Sequence, residues 1–321
     1  MHTEATARAA FLAREGGATV DAAELLRRID VATDPDTRLP AAFGLRVAGV
    51  PESARLAAVL TGLAGYGMLS IDRRRLARPD GEPFAWGLDL VTGALRRVPA
   101  GEAFPVPDRE PPSRPPVGAA AGLTWLDALE SGLAQHVEAL LALRLADPAT
   151  RVPRLDLRAC ETDERGTRLL GILHEAGELV AHDLSGLLSV PACAVRTGPA
   201  TVLATGATPA AALRAAAERA LAARLSDTVA PSGHAPARLP AIAEITADRE
   251  APAAGGDVGG GTGVGRGMGG GGGMGSGAVR WVRPAEALRA LGRTPVAVLL
   301  DHDPWAVHIL PYVVRVVLID E

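Results

Sequence analysis

Apolar side chains recur every three or four residues in four stretches of the chain, which is the spacing of one face of an α-helix. The clearest stretch follows Thr124, whose hydroxyl can cap the first turn while Asp127 lies three residues on, as in a capping box. Its predicted core-facing stripe is Leu126, Leu129, Leu133, Val137, Leu140 and Leu143. The four predicted helices span residues 55–66, 124–145, 162–174, which Gly177 terminates, and 208–225, which opens on a Thr-Pro pair.

Short runs rich in Val, Leu and Ala lie between and after these helices and are typical of β-strands. The five predicted strands span residues 178–185, 191–198, 201–207, 295–301 and 312–320. The last two are apolar on both faces and need an existing sheet to pair with. Helices mixed with several such strands predict an α+β or mixed α/β fold, in which helices pack on a mixed β-sheet.

Two segments interrupt this pattern. Residues 97–118 are rich in Pro and predict an extended surface connector without core residues. Residues 255–277 are rich in Gly, cannot bury apolar surface and predict a flexible insertion. The remaining chain is interpreted as an N-terminal segment, residues 1–45, followed by one domain formed by residues 46–254 and 278–321.

The Gly-rich insertion contains a GxGxxG match at Gly265, Gly267 and Gly270. A dinucleotide-binding loop of this type follows a strand and opens a helix. Neither element is predicted beside this match. We therefore interpret it as part of the insertion and not as a nucleotide site.

Composition narrows the classes of function. With 48% hydrophobic and 22% charged residues, the chain can bury a large core. A formal net charge of −4 without a clustered basic face argues against a nucleic-acid partner. Two cysteines without CxxC spacing argue against a zinc site or a disulfide framework. The absence of a signal-peptide core or an apolar run of spanning length predicts a cytoplasmic protein without membrane contact.

The order of several segments resembles the YcaO family. WGLDLVTGALRRVPAGEAFPV, a Pro-rich gap and GAAAGLTWLDALESGLAQHVEALL are similar to the central part of that family. TRLLGILHEAGELVAHDLS, ATGATPAAALRAAAERALAARL and the closing LGRTPVAVLLDHDPWAVHILPYVVRVVLID follow in the family's order. No single motif is specific, but five in the right order are specific together. The resemblance runs from about Arg46 to the C-terminus, excluding the insertion.

The resemblance implies a fold with a central cleft and a chemistry that uses ATP and Mg²⁺. YcaO proteins phosphorylate the oxygen of a peptide backbone amide. A Cys, Ser or Thr side chain then attacks the activated amide to form an azoline, sulfide attacks it to form a thioamide, or an amine attacks it to form an amidine. The implied partners are a precursor peptide of ribosomal origin and a further biosynthetic protein, and the implied assembly is a homo- or hetero-oligomer.

The resemblance also implies a set of Mg²⁺–nucleotide ligands, and several are replaced in this sequence. The family's first helix carries two Glu and an Arg, where this chain has Thr61, Ala64 and Gly65. The next helix offers Gln135 and Glu138 where the family has a carboxylate pair.

On the last of these helices, Arg224 matches a family Arg. Glu218 is one residue out of register, because Arg219 and Ala222 take the places expected for Glu and Gln. One residue turns a side chain by about 100° around a helix. Glu130 lies two turns before Glu138 and shares its face, although it matches no family ligand. Gln135, Glu138, Glu218, Arg224 and Glu130 are thus the candidate nucleotide-site residues, and Glu138 and Glu218 are the candidate metal ligands.

Three functions remain open at this point. The favoured hypothesis is a degenerate YcaO-like protein of an azoline or thioamide pathway, which acts as a scaffold or partner and binds ATP and Mg²⁺ weakly or not at all. The second is an active ATP-dependent cyclodehydratase or thioamidation enzyme that uses shifted ligands such as Glu130, Glu138 and Glu218. The third is an unrelated α/β binding domain whose Ala- and Leu-rich helices imitate the pattern.

Other polar groups receive simpler interpretations. The HEAGELVAHD stretch has no metal-ligand spacing, and residues 301–303 (DHD) are interpreted as a loop between two strands. Residues 73–75 (RRR) are interpreted as a solvated charge run. Cys160 and Cys193 are expected to behave as small buried hydrophobes.

Overall fold

The computed structural model describes residues 3–32, 52–72, 76, 81–104, 116–198, 200–228, 250–251 and 279–320. The helices are α1 (Glu4–Glu15), α2 (Ala22–Ala32), α3 (Glu52–Leu69), α4 (Ala100–Ala103), α5 (Trp125–Ala146), α6 (Glu164–Glu175), α7 (Ser185–Leu188), α8 (Pro209–Thr228), α9 (Val279–Ala290) and α10 (Pro304–Ile309). The strands are β1 (Phe84–Asp89), β2 (Leu95–Pro99), β3 (Ala119–Ala121), β4 (Val152–Pro153), β5 (Leu179–Asp183), β6 (Ala192–Thr197), β7 (Ala200–Thr205), β8 (Glu250–Ala251), β9 (Arg293–Leu299) and β10 (Val313–Asp320).

The chain divides into two compact units. The first comprises Met1–His136 and Trp281–Glu321, and the second comprises Val137–Arg280. Each has its own sheet and its own core.

The first unit contains a five-stranded antiparallel sheet in the order β2-β1-β9-β10-β3. Helix α3 packs on one face, where a Cβ added at Gly67 would lie 3.2 Å from Val313 Cγ1. Helix α5 packs on the other face, where a Cβ added at Gly132 would lie 2.7 Å from Val316 Cγ2. Since Val313 and Val316 are an odd number of residues apart, they point to opposite faces. The sheet is therefore covered by a helix on each side.

The N-terminal helices belong to the first unit. The Arg14 guanidinium pairs with the Asp301 carboxylate at 3.0 Å, and both side chains are largely buried. The Tyr312 hydroxyl donates to the carbonyl of Ala18 at 2.6 Å. Arg28 donates to the carbonyl of His308 at 3.2 Å, near the end of α10. These contacts tie residues from both ends of the chain to one another.

The second unit contains the antiparallel sheet β5-β6-β7, with α6 and α8 packed together and α8 packed against β6 and β7. Its core is rich in Ala, which lets the axis of α8 approach the strands closely. The buried cluster consists of Leu173, Leu179, Ala181, Cys193, Val195, Ala204, Ala212, Leu213, Ala216, Ala217 and Ala220. Strands β4 and β8 form a short parallel pair.

The predicted α+β class is confirmed, and the predicted helices and strands all form with boundaries shifted by a few residues. The capping box is present, because the Asp127 amide donates to Thr124 Oγ1 at 3.0 Å and the Thr124 amide donates to Asp127 Oδ2 at 3.2 Å. Helix α6 ends just before Gly177, whose φ of +144° falls in a region that side chains disfavour. Helices α1, α2, α4, α7 and α10 and strands β1, β2, β3, β4 and β8 were not predicted.

The predicted stripe of α5 is correct only at Leu129, Leu133 and Val137, which are buried, and Leu126 is half-buried. Leu143 is 67% exposed and Leu140 is half-buried. The buried line instead advances by four residues at each step, through Trp125, Leu129, Leu133, Val137, Leu141 and Leu145. A step of four residues turns about 400°, so this line slants around the helix, whereas a mixture of three and four would run along it.

The expectation that residues 97–118 hold no core is also wrong where the segment begins. Val98, Ala103 and Phe104 are buried, because β2 pairs with β1 and α4 packs beside it. Residues 105–115, the predicted insertion at 255–277 and the charge run at 73–75 lie outside the described residues. The predicted domain boundary at residue 46 also lies outside them, and the central cleft stays a prediction. None of the described helices is both long and apolar enough to cross a membrane.

Candidate functional site

Glu138 is a buried carboxylate in the second unit, with 4% of its surface exposed. Its Oε2 forms an ion pair with Arg219 Nη1 on α8 at 2.7 Å. Its Oε1 accepts a hydrogen bond from the backbone amide of Thr205 on β7 at 3.2 Å. Arg219 Nη1 also donates to the carbonyl of Leu203 at 2.6 Å. Both oxygens of the carboxylate are therefore used within the protein.

This ion pair also provides hydrogen-bond partners for the edge of the sheet. Strand β7 is an edge of the three-stranded sheet, and an edge strand leaves alternate backbone amides and carbonyls without a strand partner. Leu203 and Thr205 are two residues apart, so their backbone groups point to the same side. Glu138 accepts from the amide of Thr205, and Arg219 donates to the carbonyl of Leu203. A further strand would otherwise form these two hydrogen bonds.

Gln135 belongs to the first unit and clamps the start of β3. Its Oε1 accepts from the amide of Gly118 at 2.9 Å, and its Nε2 donates to the carbonyl of Ala119 at 2.9 Å. Both functions of the side-chain amide are thus occupied by backbone groups. The side chain of this nucleotide-site candidate therefore stabilises the sheet in this structure.

The neighbouring His136 fixes the same region. Its Nε2 lies 2.8 Å from the carbonyl of Val316, and because a carbonyl can only accept, Nε2 carries the proton. Burial lowers the pKa of His136, the nearby Arg315 lowers it further, and the hydrogen bond to Val316 opposes both. Gly118 has φ of +89°, and a Cβ there would overlap the carbonyl oxygen of Val316 and the His136 ring. This position therefore requires glycine.

The remaining candidates lie in other settings. Glu218 pairs with Arg165 on α6 at 3.0 Å, and its side chain is 39% exposed. Glu138 and Glu218 thus belong to separate ion pairs. Arg224 lies beside Gly177, where an added Cβ would be 3.6 Å from its Nη1. Glu130 is half-buried in the part of α5 that belongs to the first unit.

Charge is also absent from the positions of α3 that matched family ligands. Thr61 donates its hydroxyl to the carbonyl of Ala57 at 2.9 Å, and Ala64 is buried. Within the described part of the chain, no three His, Cys, Asp or Glu side chains are grouped so that they could hold a metal ion.

The polar residues 301–303 form a loop, as the sequence predicted, and they anchor the first unit. His302 Nδ1 accepts from the amide of Asp72 at 3.1 Å. Asp303 caps α10 by accepting from the amide of Trp305 at 2.9 Å, and its other oxygen accepts from the Tyr66 hydroxyl at 2.5 Å. Burial and the Asp303 carboxylate raise the pKa of Tyr66 to about 12. These contacts hold α3, α10 and the loop that leads into α10 in place.

The two cysteines lie in or against the core of the second unit. Cys193 is 2% exposed, which confirms the sequence prediction, and Cys160 is half-buried and packs against the same cluster. Burial, together with the nearby Asp183, raises the pKa of Cys193 to about 12. A thiol of this kind is a poor nucleophile, because the thiolate is the reactive form.

No protein-family model and no curated protein sequence matches the chain. Among solved structures, YcaO from Methanopyrus kandleri, bound with AMPPCP and Mg²⁺, is similar with a TM-score of 0.50 and 17% identity over 83% of this chain and 75% of that chain. The heterocyclase TruD is similar with a TM-score of 0.47 and 17% identity over 78% of this chain and 36% of that chain. A heterocyclase in complex with substrate and cofactor is similar with a TM-score of 0.48 and 20% identity over 74% of this chain and 33% of that chain. This chain spans about a third of the length of the two heterocyclases. The similarity to the Methanopyrus kandleri protein, together with the helices packed on antiparallel sheets, shows that the chain has a YcaO-like α+β fold.

Proposed function

We propose that the chain is a non-catalytic YcaO-like protein that acts as a scaffold or binding partner in the modification of ribosomally made peptides. The observation that carries this proposal is the buried ion pair between Glu138 and Arg219. The resemblance expects a Glu at the position of Arg219. With Arg there, the two positions hold a carboxylate and a guanidinium 2.7 Å apart.

A guanidinium at this position is incompatible with a Mg²⁺ ligand role for Glu138. Mg²⁺ prefers six oxygen ligands in an octahedron, and in nucleotide sites it is bound by carboxylates together with phosphates. Arg219 carries a permanent positive charge, which repels the cation that a second carboxylate would attract. The other oxygen of Glu138 accepts from the amide of Thr205, so a cation bound at Glu138 would also lie beside the guanidinium of Arg219.

The other matched positions support the same conclusion. The side-chain amide of Gln135 forms hydrogen bonds with the backbone of Gly118 and Ala119. Thr61 and Ala64 carry no charge. The protein of Methanopyrus kandleri was solved with AMPPCP and Mg²⁺, so the fold itself can hold a metal–nucleotide. This chain has a YcaO-like fold, but Glu138 and Gln135 form an ion pair and hydrogen bonds within the protein. This favours a binding role over catalysis.

The test is calorimetric titration of the full chain with AMPPCP, with and without Mg²⁺. We expect no Mg²⁺-dependent binding. In the thermal test of Arg219→Glu, Arg165→Glu serves as the matched control, because Arg165 also pairs with a glutamate, Glu218, on the exposed surface. Mg²⁺-dependent binding tighter than about 100 µM, or roughly 5.5 kcal/mol, would contradict the proposal and favour an active ATP-dependent enzyme with shifted ligands.

A second readout tests the assignment of the lost site. Arg219→Glu restores the expected carboxylate beside Glu138, so two carboxylates then face one another without a compensating cation. We expect this variant to be stabilised against heat by millimolar Mg²⁺, while the wild-type protein and Arg165→Glu are not. Equal stabilisation of all three proteins by Mg²⁺ would show that the Glu138–Arg219 pair does not occupy the metal position.

A further inference from the structure

A small cavity lies in the first unit between α1, the start of β1 and the end of β9. Its volume is about 30 Å³. The rings of Phe11, Phe84 and Trp86 line it, together with the polar side chains of Asp301 and His302. Phe11 and Phe84 are buried, whereas Trp86 and Asp301 are half-buried, so the cavity reaches the surface. A group from solution can therefore enter it.

The polar end of the cavity is negatively charged. His302 Nδ1 accepts from the amide of Asp72, so this nitrogen carries no proton and the ring is neutral. Among the described residues that line the cavity, Asp301 then carries the only formal charge. Arg14 contacts Oδ2 of Asp301 at 3.0 Å. A carboxylate offers about four lone-pair sites, so Asp301 can accept from a second cation beside Arg14.

The aromatic rings also favour a cation. The face of an aromatic ring attracts a cation within about 6 Å of the ring centroid. The guanidinium of Arg97 lies 5.1 Å from the centroid of Phe84 and 5.8 Å from that of Trp86, so these two rings already bind one cation within the protein. Aromatic rings beside a carboxylate are the combination that recognises alkylated ammonium groups.

The size of the cavity narrows the choice of cation. A water molecule needs at least about 10–15 Å³, so a cavity of about 30 Å³ holds about two such groups. A primary ammonium with its adjoining methylene is of this size, whereas a guanidinium or a trimethylammonium is larger. The chain itself contains no lysine, so a lysine ammonium in this cavity comes from another molecule.

We propose that this cavity binds a primary alkylammonium group of a peptide, with the nitrogen at Asp301 and the adjoining methylene against the aromatic rings. The ammonium belongs either to a lysine side chain or to the N-terminus of the peptide. Its remaining N–H groups donate to water at the open side of the cavity. The proposal rests on the proposed function only in taking the ammonium from a peptide.

The test follows the indole N–H signal of Trp86 by ¹H–¹⁵N NMR in the full chain, without nucleotide and at low salt, because salt screens the attraction. Trp86→Phe assigns the signal. Three peptide amides are titrated: acetyl-Gly-Lys-Gly, acetyl-Gly-norleucine-Gly, and Gly-Gly-Gly with a free N-terminus. Norleucine has the alkyl chain of lysine without the ammonium.

We expect one or both ammonium probes to move the signal, and the norleucine probe to require a concentration at least about tenfold higher. A response to the lysine probe alone, or to the free N-terminus alone, identifies the source of the ammonium. Asp301→Asn removes the charge and should abolish the preference for lysine over norleucine.

The matched variants are Ala10→Leu and Ala9→Leu. Ala10 lines the cavity on α1, so a leucine there fills it without touching the pair between Arg14 and Asp301 and should weaken ammonium binding at least about tenfold. Ala9 is exposed on the same helix, and its variant should bind as the wild type does.

Four results would overturn the proposal. They are a signal that no probe moves, equal responses to lysine and norleucine, a response to acetate at lower concentration than to the ammonium probes, and equal binding by Ala10→Leu and Ala9→Leu. None of these results depends on Mg²⁺ and AMPPCP, whose binding tests the proposed function separately.

Discussion

Removing the guanidinium of Arg219 should leave Glu138 as an uncompensated buried charge. The Glu138 side chain is 6% exposed, whereas that of Arg219 is 47% exposed. Deleting one partner of a fully buried pair costs about 3–5 kcal/mol. Because water reaches about half of Arg219, solvent screening reduces this figure. We therefore expect Arg219→Met to lower the free energy of unfolding by about 2 kcal/mol at pH 7.

The assay is urea unfolding followed by far-UV circular dichroism, with the slope compared between variants so that a change in midpoint reports stability. Adding Glu138→Gln to Arg219→Met removes the unpaired charge and should recover about 1 kcal/mol.

The matched control is Arg165→Met, which breaks the exposed pair with Glu218. An exposed pair contributes between about 0 and 1 kcal/mol, so this variant should be nearly neutral. If Arg219→Met lowered the free energy of unfolding no more than Arg165→Met does, Glu138 would not depend on Arg219. The structural role assigned to this ion pair would then be wrong.

Three further predictions concern single positions. Gly118→Ala should lower the free energy of unfolding by about 3 kcal/mol in the same assay, because φ is +89° and the added Cβ overlaps Val316. Gly65→Ala should raise it by about 0.5–1 kcal/mol, because the added Cβ meets open space within α3. Equal effects of the two substitutions would exclude the overlap. The pKa of His136 is lowered on folding, so the unfolded chain binds more protons than the folded chain. The free energy of unfolding should therefore fall as the pH drops below about 6.5. His136→Gln should reduce this loss, as measured by urea titrations at about pH 7.5 and 5.5. Cys193 should resist a thiol reagent at pH 8 until the protein is unfolded, since burial raises its pKa to about 12; labelling of the native protein at the rate of a free thiol would contradict its burial.

Local signals in the sequence located most of the regular structure. The capping box at Thr124, the Thr-Pro start of α8 and the glycine after α6 act through hydrogen bonds and backbone angles within a few residues. Such signals are legible without knowledge of the fold. Strands β1 and β2 were missed because part of their stabilisation comes from pairing with one another and, for β1, with β9 about 200 residues later. Pairing at that distance leaves no local pattern.

The candidate site shows the same division. The sequence singled out Glu138, noted that Arg219 takes the place of an expected glutamate, and placed Glu218 out of register. It did not show that Arg219 pairs with Glu138, because that contact joins two helices 81 positions apart in number (219 minus 138).

The sequence by itself thus predicted four of the helices, the apolar strands and the α+β class. Each of these follows from residue type and short-range spacing. Only the tertiary structure decided what the remaining polar side chains do. Glu138 and Gln135 have their side-chain oxygen and nitrogen atoms occupied by partners that folding brings within 3.2 Å.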